Sequence, residues 1–169
     1  MGYYYDEQDR AEKENYRNVS SDPHDYRLKW HFLVVYGLLA ANIAINVLKI
    51  IQFRAGSIYR GMAELFYGYS TPLKNMDIIL VIALAALAAG TPVVQIKLAR
   101  YRRNASLWLQ ACCALYLLVY IGHAVFTGEI LGTFEFTMDI PWWICAAINI
   151  LMIATGKAYY DKRAELFVR

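Results

Sequence analysis

Four ionisable residues interrupt otherwise apolar stretches of this chain: Lys49, Asp77, His123 and Asp139. Side chains of these types can hold an ion, relay a proton or recognise a charged solute. A charge inside hydrocarbon costs about 2.5 to 3.5 kcal/mol even on insertion scales, so each of them needs a partner. Amides accompany them. Asn42 and Asn46 precede Lys49 at spacings of four and three, which places all three on one helical face, and Asn149 interrupts a later apolar run. The two aspartates raise a further chemistry, because carboxyls that share a proton can activate water.

The elements that must position these residues are long apolar helices. Of the 169 residues, 59% are hydrophobic and 18% charged, with a mean hydropathy of +0.30; soluble domains are usually about 45 to 50% apolar. Four apolar runs cover residues 30–53, 76–96, 105–127 and 140–156. The first three are long enough to cross about 30 Å of hydrocarbon at 1.5 Å per residue. The fourth is at the short end of the spanning range, and its continuation "GKAYYDKR" can snorkel to the boundary. The expected fold is therefore all-α: a polytopic membrane protein, a four-transmembrane-helix bundle over residues 29–169 behind a charged, tyrosine-rich tail at 1–28.

Orientation follows from the distribution of Lys and Arg, which the cytoplasmic side retains during insertion. Thirteen lie in the N-terminal tail, the 97–104 turn and the C-terminal segment, against Arg54, Arg60 and Lys74 on the other side. Both termini are expected in the cytoplasm, with the chain a multi-pass protein of the plasma or inner membrane. The net charge of +3 then reflects topology, and no nucleic-acid partner is expected. The first apolar run far exceeds a signal core of about 7 to 15 residues, so it is expected to remain as a signal anchor. "MGYYYD" lacks the Ser or Thr that myristoylation needs at the position of Asp6.

With this topology, depth can be counted along each helix. Lys49 and His123 lie four residues from the outer ends of spans 1 and 3, and Asp77 and Asp139 open spans 2 and 4. Each helix thus contributes one ionisable group to a single outer layer. Asn149 lies about 15 Å from the outer surface, close to the depth of Asn42. An amide contact between spans 1 and 4 is expected, with Tyr120 as a further member.

The connections carry less information. "SIYRGMAELFYGY" places Ile58, Tyr59, Met62, Leu65, Phe66 and Tyr69 at helical spacing, as in a short helix lying in the bilayer interface between spans 1 and 2. In the outer connections, Arg54, Arg60 and Lys74 face Glu129, Glu135 and Asp139. Pro92 is expected to kink span 2. Small residues four apart, Gly37 with Ala41, Ala40 with Ala44, Ala85 with Ala89 and Ala86 with Gly90, suggest close helix packing, within the chain or between copies. Cys112, Cys113 and Cys145 read as buried apolar packing residues.

Four spans, cytoplasmic termini and an aspartate opening span 4 in "FTMDIPWW" are loosely similar to the lipoprotein signal peptidases. That family's asparagine-led glycine-alanine motif and second aspartate at the outer end of span 3 are missing here, where His123 and Glu129 stand. The family is not assigned. There is no CxxC, no HExxH, no phosphate loop and no Gly-x-Ser-Gly elbow, so no cofactor or metal is expected. The reading that remains is a non-enzymatic accessory, scaffold or interaction subunit, with the bilayer and a membrane protein or second copy as partners. The alternative is a small transporter or ligand-binding protein with an outward-facing vestibule of Lys49, Asp77, His123, Asp139, Asn42, Asn46 and Asn149. An intramembrane hydrolase is the third.

Overall fold

Leu39–Arg54 (α1), Ala63–Tyr69 (α2), Thr71–Ala99 (α3), Ala105–Leu131 (α4) and Ile140–Asp161 (α5) are α-helical, and every regular element among the described residues is a helix. A computed structural model of the chain describes residues 29–102 and 104–162; the expected tail at 1–28 lies outside them. Four helical stretches are long and apolar enough to cross a membrane: Lys29–Gly61, Thr71–Ala99, Ala105–Leu131 and Ile140–Tyr160. Large apolar side chains face outward on each, among them Ile51, Ile82, Leu118 and Ile150. A surface so continuously apolar suits lipid rather than water.

The helices outrun the apolar stretches that announce them because their ends are built from polar caps. Ser70 Oγ accepts the Leu73 amide at 3.3 Å, and Pro72 stands in the first turn of α3, where no amide hydrogen is needed. Asp139 does the same for α5, accepting from the Trp142 amide at 3.0 Å with Pro141 in the first turn. Gly132 ends α4 in the left-handed conformation (φ 69°), which a Cβ would strain.

Within residues 34–162 the helices pack as a ring. Among the long helices the most extensive interfaces are α4 with α5 and α4 with α3, followed by α1 with α3, and α1 meets α5 over a smaller one. The inward face of α3 comprises Leu73, Asp77, Leu80, Leu84, Thr91, Val94 and Leu98, and that of α1 comprises Leu39, Asn42, Asn46 and Lys49. These stripes leave the small residues on the other side: Gly37, Ala40, Ala44, Ala85, Ala86, Ala89 and Gly90 are exposed. Ala41 is half-buried; the exposed ones do not carry the packing between helices of one chain, which leaves contact between copies as the other arrangement their spacing allows.

Two local departures matter. Leu33–Leu38 forms a π-helical segment, and Gln95 of α3 donates to the Val35 carbonyl at 2.6 Å. Further along, α3 continues through Pro92, with Thr91 Oγ1 donating to the Leu87 carbonyl at 2.7 Å.

The connection between α1 and α3 is not one amphipathic helix. Tyr59 and Arg60 adopt left-handed conformations (φ 56° and 55°) inside a 3-10 turn, Ile58–Gly61, before α2 begins. That reversal changes the face presented to the bundle. Ile58, Tyr59 and Ala63 are buried, with Phe66, Tyr67 and Phe136 packed on them, while Met62, Leu65 and Tyr69 point outward.

Candidate functional site

The four ionisable residues resolve into two pairs rather than one cluster. Lys49 of α1 meets Asp139 at the start of α5, Nζ to Oδ2 at 2.5 Å, with the lysine side chain 7% exposed and the aspartate 32%. Asp77 of α3 meets His123 of α4, Oδ1 to Nε2 at 2.7 Å, with both side chains buried. Among the described residues no hydrogen bond or ion pair joins one pair to the other.

Asp77 is the more enclosed of the two carboxylates. Tyr59 donates its hydroxyl to Oδ2 at 2.8 Å, and Tyr67 donates to the same oxygen at 2.7 Å. With His123 on Oδ1, three donors from the connection and α4 converge on one carboxyl group. Thr127, one turn beyond His123, lies 3.4 Å from its Nε2, and Phe53 sets its ring edge-on to the imidazole. Burial, then the hydrogen bond to Asp77 and its charge, push the Tyr67 phenol above its ordinary range. The tyrosines escape a reading by helical period because the left-handed pair at 59 and 60 breaks the phase.

Below the Lys49–Asp139 pair lies an amide network. Asn42 donates to Asn149 Oδ1 at 2.9 Å, and Asn149 donates back to Asn42 Oδ1 at 3.1 Å. Asn149 also donates to the Cys145 carbonyl at 2.8 Å, and Cys145 Sγ approaches Asn42 Oδ1 at 3.3 Å. Asn46 donates to the Asn42 carbonyl at 2.6 Å and accepts from Tyr120 at 2.9 Å. The three asparagines are fully buried. Cys145 is therefore part of a polar network as well as packing, which its residue type alone does not signal.

A third polar contact lies nearer the other end of the bundle, where Thr91 and Tyr116 bring their hydroxyls to 2.8 Å. In the connections, Arg60 and Glu135 approach to 3.8 Å while both remain largely exposed. Exposed pairs of this kind contribute under about 1 kcal/mol.

Asp77 and Asp139 make no hydrogen bond to each other, each being engaged by other donors. Among the described residues no group of three or more His, Cys, Asp or Glu is placed to hold a metal ion. No protein-family model matches the chain, and neither does any curated protein or solved structure.

Proposed function

We propose that the chain is a non-enzymatic integral membrane component, an accessory or scaffold subunit, whose intramembrane polar residues hold the bundle together and do not handle a solute. The observation that carries this reading is closure: apart from the indole Nε1 of Trp30, every described side-chain nitrogen or oxygen that is fully buried has a hydrogen-bond partner. A wet transport path would leave some of the polar groups along it open to solvent. Here the amides of Asn42 and Asn149 bond each other, and Lys49 bonds Asp139. The distribution of basic residues supports cytoplasmic termini, with the Lys49–Asp139 and Asp77–His123 pairs near the outer boundary.

Thiol accessibility tests the reading. Cys145 lies against Asn42, on the route that a wet path from the outer side must take. With Cys112 and Cys113 replaced by alanine, Cys145 in intact vesicles is expected to resist a small charged methanethiosulfonate applied from either side. Rapid modification from the outer side would displace the scaffold reading in favour of a transporter with an open vestibule.

A further inference from the structure

Beside the Asp77–His123 pair, a cleft of about 280 Å³ opens between the end of α1, Tyr67 of α2 and the first turns of α3. Its two basic residues, Arg54 and Lys74, are exposed and make no ion pair with any described residue. Its wall continues down α3 through Ile78, Val81 and Ile82, of which Ile78 and Ile82 face outward. From Lys74 to Ile82 the helix descends about 12 Å, from the end of a membrane span toward its middle. The remaining charged group in the lining, Asp77, is buried and bonded to Tyr59, Tyr67 and His123, so it is not presented to the cleft as a free anion.

Two unpaired cations at a membrane boundary, above an apolar groove that runs into hydrocarbon, match an anionic phospholipid in charge and shape. We infer that this cleft binds one: the phosphate sits between Arg54 and Lys74, and an acyl chain lies along Ile78, Val81 and Ile82. The inference rests on the four-span membrane architecture and is independent of whether the polar layer is structural.

Native mass spectrometry of the lipid-stripped full chain, released from detergent with dioleoyl phosphatidylglycerol or dioleoyl phosphatidylcholine, tests it. Each cation near a membrane surface is worth about 5-fold in binding an anionic lipid, so together they favour phosphatidylglycerol by about 25-fold. The Arg54→Gln/Lys74→Gln variant is expected to lose that preference with unchanged thermal stability, since neither side chain is paired in the fold. Val81→Trp, which fills the groove, is expected to reduce retention of both lipids. The control Arg100→Gln/Arg102→Gln, at the opposite end of the bundle, is expected to keep the preference, and glycerol 1-phosphate is expected not to compete. Equal retention of the two lipids by the unmodified chain, or a preference that survives loss of Arg54 and Lys74, would overturn the inference. So would an equal loss in the control, which points to net charge, or competition by glycerol 1-phosphate, which points to a phosphate site without a lipid.

Discussion

At Lys49 and Asp139 the two halves of an ion pair are unequally placed, and that inequality has a measurable consequence. The lysine side chain is 7% exposed, whereas the aspartate is 32% exposed and also caps α5 through the Trp142 amide. Lys49→Met leaves a partly solvated carboxylate that keeps its cap, and is expected to cost about 1 kcal/mol, the upper end for solvent-screened pairs. Asp139→Asn keeps the cap but strands an ammonium group in the interior, and is expected to cost about 3 kcal/mol. Reversible unfolding in mixed detergent micelles measures both; equal losses, or the reverse order, would contradict the assigned burial. Around Asp77 the same reasoning ranks the tyrosines. Hydrogen bonds to a charged group contribute about 1.5 to 3 kcal/mol, and Tyr59→Phe, at a buried hydroxyl, is expected to destabilise more than Tyr67→Phe, whose side chain is half-buried. The amides and ionisable groups were legible in the sequence because they interrupt apolar runs, where a polar residue has few reasons to stand. Tyr59 and Tyr67 were not, because a tyrosine in an aromatic connection looks the same whether its hydroxyl meets water or a buried carboxylate.

At the scale of elements, the ends of the helices depend on a few backbone requirements. Gly132 terminates α4 with φ 69°, and Gly128 lies beneath the ring of Phe134, which occupies the space a Cβ would need. Gly122, on the same helix, has open space around it and a helical conformation. Gly132→Ala is therefore expected to cost about 1 to 2 kcal/mol through left-handed strain, while Gly122→Ala is neutral or stabilising; thermal denaturation of the two variants side by side checks the contrast. Four long helices could be read from hydropathy, since runs of about 20 apolar residues have few alternatives. Their full lengths could not, because the added residues 71–75 and those beyond 156 are largely polar and are held by a cap or by continuity with the helix. The connection at 54–70 shows the limit of periodicity: left-handed residues at 59 and 60 rotate the chain, so that Ala63 and Tyr67 turn inward in place of Met62 and Leu65. Spacing also could not say which stripe of small residues faced a neighbour, since both faces of α1 and α3 carry small or apolar side chains.

For the whole bundle, polar contacts join both a well-packed seam and a sparse one. The well-packed seam between α3 and α4 holds the Asp77–His123 and Thr91–Tyr116 contacts. The smaller seam between α1 and α5 is joined by Lys49–Asp139 and the reciprocal Asn42–Asn149 amides. Lipid tails provide no hydrophobic drive that would bring the first helix to the last, and interhelical hydrogen bonds supply it here. Counting depth along antiparallel spans was enough to set Asn42 level with Asn149, because helical rise is fixed. It was not enough to separate the four ionisable groups into two pairs, since depth says nothing about position around the ring. The most direct test of this account is the coupling energy between Asn42 and Asn149, from reversible unfolding of Asn42→Leu, Asn149→Leu and the double variant. The account predicts a favourable coupling of about 0.6 to 2 kcal/mol; losses that add with no coupling would contradict it.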